Sequence, residues 1–216
     1  METNDQSKLV SACGIAAATS IATATVTARR AFSLPHLSAA KHFAEQLEKH
    51  EEVHQGAGWG DHFDFCTWYG TAAIILSFSA IEAALDEVQD DLQISSYLTK
   101  TFERARALDV AQAILAFRNC IPFDRGSEPF QSADLLRALR NGLVHPKAEW
   151  DHDRVVHEKL TRRIVGQNLN LSPFVEDAKL AFPHGCMSAG VANWSARTAE
   201  CFIRELRKRL DLSKPV

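Results

Sequence analysis

Two short stretches of the chain place chemically capable residues at a meaningful spacing. The stretch "RNGLVH", residues 140 to 145, brings Arg140, Asn141 and His145 together just before a proline. The stretch "HEEVH", residues 50 to 54, places His50 and His54 four residues apart. Either stretch can be a site or an ordinary piece of a helix, so the chemistry that each would support has to be weighed against its surroundings.

The first stretch has the residue types that cleave RNA without a metal ion. A neutral imidazole such as His145 can accept the proton of a ribose 2′-hydroxyl, while a fixed Arg140 stabilises the charge that builds on phosphorus. Asn141 can orient the phosphate through its amide, and the flanking Arg137 and Lys147 are candidates for contacts to the RNA backbone. A helix C-terminus also favours arginine and protonated histidine because of the helix dipole, which leaves an ordinary helix end as the alternative interpretation.

The second stretch matches the H-E-x-x-H zinc signature, with both histidines on one face of a helix. In a zinc peptidase, Glu82 on a later helix would join His50 and His54 as the third ligand, and Glu51 would act as general base on zinc-bound water. The context argues against this alternative, because "AEQLEKHEEVHQ" is mostly polar and no strand-rich region precedes it to align a peptide. A surface helix with two half-buried histidines is the simpler interpretation.

Composition narrows the function classes. A chain of 216 residues that is 46% apolar can bury a core without metal or disulfide, and we expect no cofactor. With a formal net charge of −3, the chain as a whole does not attract duplex nucleic acid, so any RNA contact must come from a local group of basic residues. Five cysteines without a C-x-x-C pair indicate reduced thiols and a cytoplasmic protein. Residues 9 to 28 carry no charge, but Ala, Ser and Thr dominate them, which predicts a soluble helix and no membrane span.

The elements that position both stretches have helical periodicity. Apolar residues recur at helical spacing over residues 34–55, 66–88, 99–119, 132–145, 151–165 and 187–210. Ser132 is the predicted N-cap of the helix that carries Arg140. Because no sustained strand pattern is present, we predict an all-α bundle, with residues 1–60 as an N-terminal helical extension and residues 61–216 as the main helical domain.

Two features of the predicted helices bear on the Arg140 site. Glu82 lies on the apolar face of its helix, where an unpaired carboxylate is costly, and Arg140 has the complementary problem, so we predict that the two side chains pair. Arg140 and His145 are five residues apart, which places them about 140° from one another on an ideal helix. They therefore do not share a face unless Gly142 and Pro146 loosen the last turn, or unless two copies of the chain complete each other's site.

The acidic helix "SFSAIEAALDEV", two further helices and then "LRNGLVHP" resemble the HEPN superfamily over about residues 68 to 210. HEPN domains are all-helical and carry an Arg, a polar residue, three more residues and a His at the end of a core helix. The resemblance implies a homodimeric, metal-independent endoribonuclease with Arg140, Asn141 and His145 in the site, or a non-catalytic RNA-binding, nucleotide-binding or dimerisation scaffold. It also implies a toxin–antitoxin or defence setting, with an antitoxin or other regulatory protein as a partner.

Overall fold

The computed structural model describes residues 31–58, 60–146, 155–177 and 180–212, and every regular element within these ranges is helical. The predicted all-α fold is confirmed. The described helices are α1 (Ser33–Val53), α2 (Phe63–Asp91), α3 (Ser96–Phe102), α4 (Ala107–Phe117), α5 (Phe130–Val144), α6 (Val155–Gly166) and α7 (Ala189–Arg209). A 3-10 turn, Gly60–His62, leads into α2, and a short helical turn, Ala181–Gly185, leads towards α7.

The long helix α2 is the centre of the bundle. It packs against α1, α5 and α7, and α7 also contacts α1 and α5. The faces of these helices that meet are apolar and closed to solvent. No surface is exposed at five of their side chains: Leu47 of α1, Ile74 and Ile81 of α2, Leu139 of α5 and Phe202 of α7. Helix α1, which belongs by sequence to the predicted extension of residues 1–60, shares this core. Residues 1–30 lie outside the described residues.

A buried carboxylate fastens the start of α1 to α2. Glu87 on α2 accepts hydrogen bonds from the backbone N–H of Ser33 at 2.9 Å and from its hydroxyl at 2.8 Å. The first N–H groups of a helix have no partner within the helix and carry partial positive charge, so a carboxylate at this position satisfies a donor and complements the helix dipole.

Two local predictions were wrong. The single helix expected over residues 99–119 is divided into α3 and α4, because Arg106 has an extended backbone (φ −73°, ψ 134°) and α4 starts anew after it. Ser132 is not the N-cap of α5, because that helix begins earlier, at Phe130, and the Ser132 hydroxyl donates instead to Glu128 Oε1 at 2.7 Å. Apolar periodicity located both segments but not their ends.

One described segment, Gly60–Asp91, is long and apolar enough to cross a membrane. Half of its most apolar window is buried inside the protein. A helix at the centre of a bundle meets the same test of length and composition, so the finding is weak evidence for a membrane span.

Candidate functional site

A cleft of about 550 Å³ lies between the C-terminal half of α5 and helix α6. We call it the α5–α6 cleft. Its lining includes three cationic side chains and two histidines, and none of the described residues that line it is acidic: Arg137, Lys159, Arg163, His145 and His157. Such a concentration of positive and protonatable groups favours an anionic ligand, although the whole chain is slightly acidic.

The spacing on α5 explains which residues reach this cleft. Arg137, Asn141 and His145 follow one another at intervals of four, so they lie on one helical face, and all three line the cleft. His145 is exposed at the C-cap of α5, where its backbone N–H donates to the Asn141 carbonyl at 2.9 Å. The structure therefore brings together three of the residues that the sequence selected. Lys147, a fourth, lies outside the described residues.

Arg140 lies away from the α5–α6 cleft. Its Nη2 is 3.8 Å from Glu82 Oε2, and its Nη1 donates to Asn141 Oδ1 at 3.1 Å. The predicted pairing of Glu82 with Arg140 is observed, at a distance typical of charge attraction and longer than a hydrogen bond. Helix α5 stays regular through Val144, so the angular separation of Arg140 from His145 is kept and the two side chains do not line one cleft.

Glu82 is only partly withdrawn from solvent, with 41% of its side chain exposed. Burial raises the pKa of Glu82, the Arg140 guanidinium lowers it, and Asp86 raises it further, so the net shift is upward. The Arg140 Nε atom is buried and has no hydrogen-bond partner among the described residues. The contact between Glu82 and Arg140 thus holds the end of α5 near α2 without fully satisfying the guanidinium.

Asp134 organises the cationic side of the cleft. Its Oδ1 accepts from Arg137 Nη2 at 2.7 Å, and its Oδ2 accepts from Arg163 Nη2 at 2.9 Å. Burial raises the pKa of Asp134, but the hydrogen bonds and charges of the two arginines outweigh burial and leave the pKa below its ordinary value. The carboxylate therefore stays ionised and fixes two guanidinium groups beside the cleft.

Gly142 is required by close packing at the floor of the cleft. A Cβ at this position would lie 2.8 Å from Phe182 Cζ and 3.0 Å from Leu160 Cδ1. Phe182 is 99% buried and its backbone N–H donates to Thr161 Oγ1 at 3.2 Å, so its ring has little room to move. A glycine in the last turns of α5 is thus explained by the approach of the 181–185 turn and α6.

The α6 side of the cleft was missed by the sequence analysis. Lys159 and Arg163 are four residues apart and both line the cleft, and His157, half-buried beside the Phe182 ring, joins them. Their helix is amphipathic and basic, "HEKLTRR", which was the available signal. That signal identifies a basic face but does not say that the face meets α5.

The second stretch of the sequence forms a separate group, which we call the histidine cluster. His50 and His54 at the end of α1 meet His62 from the turn before α2, and one ring nitrogen of each lies within 4.8 Å of the others. His50 Nε2 is 3.0 Å from His62 Nδ1. Burial lowers the pKa of His50, and the neighbouring His54 and His62 lower it further.

The prediction that Glu82 would be the third ligand of this group was wrong. Glu82 lies 20 residues after His62, about 30 Å along α2, and faces Arg140 instead. Glu51 accepts a hydrogen bond from the Ala189 N–H at the start of α7 at 2.9 Å. Burial raises the pKa of Glu51 to about 7, although the Ala189 hydrogen bond opposes the shift.

The α5–α6 cleft and the histidine cluster thus differ in position and in chemistry, and the first contains most of the R-N-x-x-x-H motif. Membership of the HEPN superfamily stays a prediction, made from that motif and from the acidic helix before it. Compared with protein-family models, curated proteins and solved structures, the chain has no match.

Proposed function

We propose that the protein is an endoribonuclease of HEPN type that binds and cleaves RNA in the α5–α6 cleft without a metal ion. One observation carries the proposal. Arg137, Asn141 and His145, from the helix that ends in the motif, line one open cleft together with two cations of α6. RNA presents one negative charge per phosphate, and a cleft with this lining attracts it although the chain as a whole does not.

The residues of the cleft have distinct roles in this reaction. Arg137 and Arg163 hold phosphate oxygens, and the Asn141 amide orients the scissile group. His145 takes the proton of the 2′-hydroxyl as its oxygen bonds to the adjacent phosphorus, and the bond from phosphorus to the 5′-oxygen breaks. His157, which lines the same cleft, is the general acid that donates a proton to the leaving 5′-oxygen. The products are a 2′,3′-cyclic phosphate and a 5′-hydroxyl.

Arg140 acts as a positioning residue within one chain. Its contacts with Glu82 and Asn141 fix the end of α5, and Asn141 in turn lines the cleft. In the proposed homodimer, the 140–145 segments of two copies meet, and a copy's Arg140 stabilises charge in its partner's site. We place the protein in the cytoplasm, in a toxin–antitoxin or defence setting with a regulatory protein partner, and without membrane association.

A second candidate function is non-catalytic binding of RNA or nucleotides in the same cleft. The observation that favours it is the position of Arg140, which faces Glu82 and does not line the cleft that contains His145. Such a scaffold needs Arg137, Lys159 and Arg163 but does not need a proton acceptor.

The test is cleavage of an end-labelled single-stranded RNA in the presence of EDTA. We expect wild-type protein to cleave it and to leave 2′,3′-cyclic phosphate ends, which mass spectrometry identifies. His145→Ala should bind the RNA without cleaving it, whereas His42→Ala, an exposed histidine on α1, should act as wild type. If wild-type protein binds the RNA without cleaving it, the nuclease proposal fails and the scaffold function stands. If it neither binds nor cleaves the RNA, both proposals are refuted.

A further inference from the structure

The histidine cluster brings three imidazoles together from two elements that are separated along the chain. His50 lies in the last turn of α1, His54 is the C-cap of that helix, and His62 ends the 3-10 turn that precedes α2. Gly56, which follows α1 closely, has φ +80°, a conformation that favours glycine. The cluster therefore lies where α1 ends and α2 begins, and it uses none of the residues of the α5–α6 cleft.

The geometry of the cluster fits one small metal ion. Zn–N bonds of about 2.0–2.1 Å in a tetrahedral site put the ligand nitrogens about 3.3 Å apart. Here one such pair, His50 Nε2 and His62 Nδ1, is 3.0 Å apart, and the nitrogens of all three rings lie within 4.8 Å of one another. One pair of nitrogens is thus already near the separation that a tetrahedral ion requires, and the nitrogen of the third ring lies close to both.

Aromatic packing holds the rings in this arrangement. His50 stacks on Phe65 with ring centroids 4.0 Å apart and 13° between the planes, and His62 stacks on Phe174 at 4.8 Å and 17°. Rotation of a stacked imidazole about its Cβ–Cγ bond would lift it off its partner ring. Folding therefore already restricts His50 and His62, which lowers the entropy cost of ordering them around an ion.

We propose that His50, His54 and His62 bind a divalent transition-metal ion, best suited to zinc, and that the ion fastens the end of α1 to the start of α2. Imidazole nitrogen suits zinc and its neighbours in the first transition series, whereas magnesium and calcium require oxygen ligands. All three histidines are partly exposed, so an ion can reach them from solvent.

The ion has a structural role. In a peptidase with this signature, Glu51 would be a free general base, but here its carboxylate is engaged by the Ala189 N–H and anchors the start of α7. The site joins two elements of the core and is independent of the proposed RNA cleavage, which needs no metal.

The experiment is calorimetric titration of the full-length, chelator-treated protein with zinc chloride. We expect one ion per chain, a loss of affinity on the order of 100-fold in His54→Ala and in His62→Ala, and no change in the matched control His42→Ala, an exposed histidine on the same helix. Cobalt(II) should give the visible absorption of a tetrahedral nitrogen site in wild type and in His42→Ala, but not in His54→Ala or His62→Ala. Zinc should also raise the Tm of wild type and of His42→Ala but not of the two other variants.

Circular dichroism separates lost ligands from lost structure, because both variants should retain the helical spectrum. Absence of zinc binding by wild-type protein would overturn the proposal, and so would equal affinity in wild type, His54→Ala and His62→Ala. The RNA assay in EDTA reports separately on the α5–α6 cleft, so failure of either proposal leaves the other testable.

Discussion

The α5–α6 cleft and the histidine cluster use basic side chains in opposite ways. In the cleft, Asp134 fixes the positions of the Arg137 and Arg163 guanidinium groups, and the lining is open to an anion. In the cluster, rings stacked on phenylalanines face one another, and the pKa of His50 is lowered, which suits a cation. We therefore propose that the same residue type serves anion chemistry at His145 and metal binding at His50, because the neighbours of the two histidines differ.

The largest effect should come from removing the proton acceptor of the cleft. We expect His145→Ala to lower RNA cleavage on the order of 10²-fold or more, about 2.7 kcal/mol in the barrier, since general bases contribute 10² to 10⁴-fold. Single-turnover rates in EDTA measure this. His50→Ala should leave the rate unchanged, and equal losses in both variants would show that the two regions are not functionally separate.

Removing the fixed cations should weaken binding. Arg137→Gln combined with Arg163→Gln should reduce affinity for single-stranded RNA by about tenfold at low salt and lower the slope of log affinity against log salt by about 1.4, or 0.7 for each lost phosphate contact. Fluorescence anisotropy measures both quantities. Arg104→Gln, an exposed arginine outside the cleft, is the control. An unchanged salt slope in the double variant would place the RNA elsewhere.

A methyl group at the floor of the cleft should destabilise the fold. Gly142→Ala gains about 1 kcal/mol in helix propensity, but overpacking against Phe182 and Leu160 costs about 1–3 kcal/mol, so we expect a net loss of about 1 kcal/mol. Urea unfolding measures it. Gly166→Ala, at the end of α6 with no atom near its added Cβ, is the matched control and should be neutral or stabilising. A Gly142→Ala protein as stable as wild type would show that Phe182 can move.

The smallest effect should be the pH dependence that Asp134 contributes. Because its folded pKa is lowered, its ion pairs stabilise the folded state above the unfolded pKa of about 3.9, and that stabilisation is lost as the pH falls through the folded value. Because solvent screens these partly exposed ion pairs, we expect them to contribute well under ~1 kcal/mol to the free energy of unfolding. Urea midpoints should separate wild type from Asp134→Asn at pH 7 and converge near pH 2. If the difference between the two urea midpoints stayed the same at every pH, the substitution would act through packing and not through the charge of Asp134.

The sequence by itself determined the helices and one of the charged contacts. Apolar periodicity located α1, α2, α5 and α7, because a helix that must bury one face repeats its apolar residues every three to four positions. The contact of Glu82 with Arg140 also followed from sequence, because each charge lay beside apolar residues of its own helix and needed a partner.

Only the tertiary structure decided which side chains share a site. It joined α6 to α5, which put Lys159 and Arg163 opposite His145 and left Arg140 outside the cleft. It also replaced the predicted Glu82 by His62 beside His50 and His54. The physical reason is that apolar periodicity describes a single helix and carries no information about its neighbours. Which two helices meet depends on how all apolar faces pack at once and on turns such as the one at Gly56.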